Sequence, residues 1–334
     1  MGNQVRIVLD GVDRYQVMDP MYECVRVVLN HRGEAYSPAY IQGVSGAAFR
    51  VGGICPCAPT VDCAMGTQDL VKLLGYEMTD LPLYRNSGNE NQPFDLEEES
   101  DQVIARVKGE IRAGRPAMVW HAFTTCEWDV VAGFDDEQRL FFGRGSYAGG
   151  DEYAQADQKR LITCLDICPA LGAITVGDKV AELDARAAET AALQEAVHHA
   201  RSTEGQDQLG DKWAMLHGLL CYDRWIDDWR SPEKKRASGD SYCLGVYRST
   251  HRAAAGFMRE LAPKYPQVRA HFERAAAAFI AEVDALDAAV PLLGWEAPEG
   301  PDPERNAQLV PLLRQARDGY ARGIDEIEAA LDMM

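Results

Sequence analysis

Residues 127–142 read Glu127-Trp128-Asp129-Val130-Val131-Ala132-Gly133-Phe134-Asp135-Asp136-Glu137-Gln138-Arg139-Leu140-Phe141-Phe142, and this stretch decides the fold class of the first half of the chain. Residues 128–132 form a β-rich run, 133–137 carry the Gly and Asp that suit a hairpin connection, and 139–142 return as a second strand. Working outward, 116–120 supplies a strand before the hairpin, 161–167 one after it, and 5–9 an opening strand. Helical patterns precede the sheet. Asp19-Pro20 offers an N-cap and a first-turn proline ahead of Met21, Cys24, Val25, Val28 and Leu29 at helical spacing. Ser37-Pro38 repeats that signal for a short helix through Val44, and 67–74 and 100–113 are each closed by a glycine. Helices followed in sequence by an antiparallel sheet make an α+β domain.

Near residue 176 the composition shifts to Ala, Glu and Arg with helical periodicity. Five long patterns, at 179–201, 208–229, 240–262, 266–289 and 303–331, are separated by breakers such as Ser231-Pro232, Pro263 and Pro298-Glu299-Gly300-Pro301. The expected division is therefore an α+β domain over 1–176 and an all-α helical bundle over 177–334. A chain of 334 residues is long enough for both, at about 150 residues per domain.

Charge and cysteine usage narrow the function classes. A net charge of −18 argues against broad attraction to nucleic acid or anionic lipid, which needs clustered Lys and Arg. Nine cysteines, an odd number in a large chain, fit a disulfide framework poorly. The N-terminal residues have no apolar signal region, and no stretch reaches the roughly 18 apolar residues of a membrane span. These readings point to a reduced, cytoplasmic chain with no membrane and no nucleic-acid partner. No cofactor is expected: Gly43-Val44-Ser45-Gly46 lacks the phosphate-loop pattern and Gly143-Arg144-Gly145 is no dinucleotide fingerprint.

The residues that could carry chemistry start with Cys24. A thiol near a helix N-terminus is shifted towards the nucleophilic thiolate by the macrodipole and free backbone N–H groups; the alternative is a small, buried apolar side chain. His121, at a strand end, and His217, in the helical half, are the imidazoles that could serve it, or else satisfied structural histidines. Glu127 beside Trp128 could be a desolvated proton carrier or an ordinary edge acid. Asp135 reads as turn chemistry or as a third catalytic group. Phe49, Trp120 and Trp128 are candidate apolar walls of a cleft. Cys55, Cys57 and Cys63 suggest loop cysteines, a redox pair or an incomplete zinc site. No nearby histidine completes such a site, so no metal site is expected.

Glu23-Cys24-Val25-Arg26-Val27-Val28-Leu29-Asn30, Tyr40 to Arg50 and Glu127 to Asp136 together resemble the N-terminal part of the butirosin biosynthesis protein H-like family, relatives of papain-like peptidases. Leu140 to Arg144, Gly218 to Ile226 and Tyr242 to Ala255 are similar to its later segments, including a helical C-terminal half. The resemblance implies a papain-like fold joined to a helical domain. It also implies acyl transfer from a carrier-protein thioester to an amine, or amide and peptide processing in biosynthesis, with Cys24 carrying the acyl group. Small-molecule or peptidyl substrates, an acyl carrier protein and a homodimer are the partners to expect. The chain departs from the pattern where papain-like enzymes place their histidine: it has Glu127-Trp128 instead. That departure keeps a second reading open, a non-catalytic protein that binds a small molecule or peptide in the cleft.

Overall fold

The structure is a computed structural model, and it describes residues 6–54, 65–83, 95–146, 150–163, 169–203 and 215–334. In chain order the elements begin with β1 (Arg6–Val8), α1 (Pro20–His31), α2 (Pro38–Val44), β2 (Gly52–Ile54), α3 (Thr67–Leu73), β3 (Tyr76–Leu81) and α4 (Leu96–Arg112). The sheet strands β4 (Ala117–Trp120), β5 (Trp128–Asp135), β6 (Leu140–Arg144), β7 (Ala154–Asp157) and β8 (Ala173–Lys179) follow. The chain continues with α5 (Ala185–Arg201), β9 (Met215–His217), α6 (Gly218–Trp229), α7 (Ser238–Leu261), α8 (Arg269–Leu293) and α9 (Pro303–Leu331).

Two compact units divide these elements. The first holds Met1–Ser37 with Gly66–Leu183, the second Pro38–Met65 with Asp184–Met334. They differ from the expected 1–176 and 177–334 in two ways. The strand β8 runs through residue 176, and α2 and β2 group with the helices.

The first unit is α+β. Its antiparallel sheet has the order β3-β8-β4-β5-β6-β7, with β1 added against the far end of β5. The β5–β6 hairpin expected from the sequence is present, but Gly133, Phe134 and Asp135 belong to β5, so its turn lies at 136–139. The register slips between Val131 and Gly133, a bulge that places both Val131 and Phe134 in the core beneath α4. That core joins Val103, Ile104, Val107 and Ile111 of α4 to Ala117, Val119 and Phe141 of the sheet. Alternation sends Met118 and Trp120 to the opposite face. Helix α4 begins a turn before the expected start because Asp95 accepts the free N–H groups of Glu97 and Glu98. The expected strand at 161–167 is replaced, through Ile162, by a 3-10 turn, Gln158–Ile162; residues 164–168 lie outside the described part.

The second unit is a helical bundle with the small β2–β9 ribbon. Glycines let its helices approach closely: a Cβ at Gly319 would stand 2.8 Å from Glu282 N, and one at Gly43 2.1 Å from the Phe257 ring. Helix α9 starts at Pro303 behind its cap Asp302, as Asp302-Pro303 predicts. The pattern expected at 208–229 divides into β9 and α6, and that at 179–201 begins only at Ala185, because β8 occupies the residues through Lys179.

Candidate active site

Cys24 is the fifth residue of α1 and is fully buried. Its Sγ donates to Met21 O at 3.2 Å, one turn back on the same helix. Burial pushes the Cys24 thiol well above its ordinary pKa, and the charges of Asp19, Glu23 and Asp129 push the same way; the Val25 amide offsets them only in part. The helix-start location thus fails to produce a thiolate, because dehydration and neighbouring acids outweigh the macrodipole.

Those acids come from three places in the first unit. Asp19 stands at the N-cap of α1, as expected, yet its carboxyl faces the Met21 amide without completing a capping hydrogen bond. It keeps a solvent-accessible edge but lies deep among protein atoms. Burial, then the charges of Glu127 and Glu23, raise its pKa to about 8, so this carboxyl is mostly protonated at neutral pH. Glu23 is buried and compensated: Arg26 Nε reaches its Oε1 at 2.8 Å, and the Gln16 amide donates to Oε2 at 2.7 Å.

Asp129 is buried within β5. Its Oδ2 accepts from the amides of Phe123 at 2.6 Å and Thr124 at 2.7 Å, and its Oδ1 from the Ser146 amide at 3.2 Å. Burial raises its pKa to about 6 against these hydrogen bonds. Tyr15 completes the group. Its hydroxyl donates to Trp128 O at 2.8 Å, and burial first, then the neighbouring ionisable groups Cys24, Asp129, Glu23 and Glu127, raise its pKa and keep it protonated.

Of the residues singled out in the sequence, the structure gathers Cys24 and Glu127 through their shared neighbour Asp19, with Trp128 beside them through Tyr15. Trp120 and Trp128 are register partners on β4 and β5, their rings edge to face at 5.6 Å. Trp120 Nε1 is buried with no partner among the described residues.

The other candidates are engaged elsewhere. His121 is buried at φ +58° in the β4–β5 loop. Its Nδ1 accepts the Cys126 amide at 2.9 Å, so Nε2 carries the proton and donates to Thr163 Oγ1 at 3.2 Å. Burial and the Arg160 charge lower its pKa, which keeps the ring neutral. It fastens the loop and makes no hydrogen bond to Cys24. Asp135 Oδ1 accepts the amides of Glu137 and Gln138, both at 2.9 Å, the turn chemistry expected of it.

Phe49 is not a cleft wall: it is fully buried in the second unit between Phe257 and Phe279. His217, also in the second unit, precedes α6 and packs edge-on against His199 at 5.4 Å. Cys55, Cys57 and Cys63 lie outside the described residues.

Sequence reasoning missed Tyr15 and Asp129 and read Asp19 only as a cap. Asp129 carried a signal, an acid between apolar neighbours in a strand buried along its whole length. Among the described residues, no three His, Cys, Asp or Glu side chains are placed to hold a metal ion, and no helix is long and apolar enough to cross a membrane. No family model matches the chain, and no curated protein gives a significant match.

Proposed function

We propose that this is a cytoplasmic papain-like protein of the butirosin biosynthesis protein H-like type, which holds a small molecule or peptide through a cationic group at the acids beside Cys24, without a covalent cysteine step. The observation that carries this reading is the state of Cys24: a buried thiol donating to a carbonyl, surrounded by acids, with no imidazole hydrogen-bonded to it among the described residues. Nucleophilic catalysis needs a base in that place. Asp19 and Glu127 are instead suited to an ammonium or guanidinium group, which would favour the ionised form of Asp19. Trp120 and Trp128 add aromatic surface of the kind cations pack against.

A thermal-shift comparison with agmatine and spermidine as probes tests the reading. Both should stabilise the wild type and Cys24→Ser alike, and should lose their effect in Glu127→Gln. Loss of the effect in Cys24→Ser would overturn it.

One observation favours a second reading, acyl or amide processing. Asp19, with its pKa near 8, has the profile of a general acid and could protonate a leaving group in place of histidine. A carrier-protein thioester would then be the acyl donor. Incubation with an acyl-pantetheine thioester followed by mass spectrometry separates the two, since only the second reading leaves an acyl group on Cys24.

A further inference from the structure

In the first unit a cleft of about 540 Å³ opens between α4 and the β5–β6 turn. Basic side chains gather there in a protein whose net charge is −18: Lys108 and Arg112 of α4, Arg139 of the turn and Lys159 of the 3-10 turn. Their partners divide the cleft into two ends. Lys159 Nζ is saturated, reaching Glu97 Oε2 at 2.9 Å, Asp101 Oδ1 at 2.7 Å and Ser100 Oγ at 2.7 Å. At the other end Asp136 is the acid lining the cleft beside three cations. Lys108 Nζ stands 2.7 Å from its Oδ1 and Arg112 Nη2 3.6 Å from its Oδ2, while the Arg139 guanidinium has no hydrogen bond or ion pair among the described residues. This end therefore holds a surplus of two positive charges.

The surplus is fixed in place. The charged groups of Lys108 and Arg112 both lie over the Phe134 ring, 5.5 and 4.8 Å from its centroid, which limits their rotation before any ligand arrives. The backbone of Arg139 is pinned as well: its carbonyl accepts the Gln158 amide at 2.9 Å, and Asp135 holds the turn through Glu137 and Gln138. Arg139 has φ +57°, the left-handed conformation that glycine or asparagine adopts with less strain. An arginine there strains the turn and makes no polar contact within the fold, which points its guanidinium to a ligand.

We propose that this end of the cleft is a binding site for a small phosphomonoester. A dianion matches the surplus of two charges, and the guanidinium groups of Arg112 and Arg139 offer paired N–H donors to phosphate oxygens. The cleft is larger than a phosphate group and leaves room for the organic part of the ester. A carboxylate would leave one positive charge uncompensated. This site is independent of the Cys24 reading, since Asp19, Glu23, Glu127 and Asp129 line no part of it.

Saturation-transfer proton NMR tests the site, with phenyl phosphate as probe and benzoate as the monoanionic control. The titrations are run at constant ionic strength and about pH 8, where the ester has lost its second proton. The wild type should bind phenyl phosphate saturably and about tenfold or more tighter than benzoate. Arg139→Gly should weaken phenyl phosphate by about tenfold or more while the melting temperature stays or rises, because glycine relieves the left-handed strain. Equal affinity for the two probes, or an Arg139→Gly protein that binds phenyl phosphate as the wild type does, would overturn the site. Should Arg139→Gly fail to fold, Arg112→Gln must show the same loss, and an unchanged affinity there would overturn it equally.

Discussion

Cys24 Sγ donates to Met21 O at 3.2 Å, so the proton that a nucleophilic cysteine must lose is engaged within its own helix. Replacing the thiol should therefore cost packing and one weak hydrogen bond. Cys24→Ala is expected to lower stability by about 1 kcal/mol and to leave amine binding within about twofold of the wild type. Denaturant unfolding and the thermal-shift titration measure the two effects.

The neighbouring Asp19 makes stability depend on pH with a definite sign. Its pKa rises from 3.8 to about 8 on folding, so the folded protein holds this proton more tightly than the unfolded chain does. The resulting stabilisation is complete below the unfolded value and is lost as pH rises through about 8. Asp129, raised to about 6, adds the same sign over a narrower window. Melting temperatures measured between about pH 5 and about pH 8 should fall less steeply in Asp19→Asn than in the wild type, by the same slope difference on both sides of pH 6, where the Asp129 contribution ends in both proteins.

Asp129 gathers the amides of Phe123, Thr124 and Ser146, and an asparagine there can satisfy only part of that set. Asp129→Asn should raise amide exchange at Phe123 and Thr124 by about tenfold or more, equivalent to about 1.4 kcal/mol of lost local protection, while α4 keeps its own.

The close approach of α2 to α7 leaves no room for a side chain, because a Cβ at Gly43 would stand 2.1 to 2.4 Å from ring atoms of Phe257. Gly43→Ala should cost about 2 kcal/mol or more. Gly109→Ala, in a helix interior with no atom within 4 Å of the new Cβ, should be neutral or stabilising. Parallel thermal melts compare them.

The helix starts were legible because caps and prolines act locally. Asp302-Pro303 and Asp19-Pro20 each mark a first turn that the structure reproduces. Strand β8 was not legible. Ile174-Thr175-Val176 is a run of three residues between Gly172 and Gly177, too short to read as a strand, and its partners, Asp80 to Met78 and Met118, are distant in sequence. At the site, Cys24 and Glu127 could be named from spacing and residue type. The loss of His121 to its own loop could not, because it follows from the positive φ of His121 and Cys126, which turns the ring back on its loop. The acid surroundings of Cys24 were hidden for a related reason: Asp19, Glu23, Glu127 and Asp129 converge through the packing of α1 on the β4–β5 hairpin.

The most direct test of the central claim, a neutral and non-nucleophilic Cys24, is its rate of alkylation by iodoacetamide as a function of pH, read site by site by mass spectrometry. Near neutral pH Cys24 should react far more slowly than the half-buried Cys126, and its rate should show no titration below about pH 9. A Cys24 that labels faster than Cys126 at neutral pH, with a midpoint well below the ordinary thiol value, would contradict it.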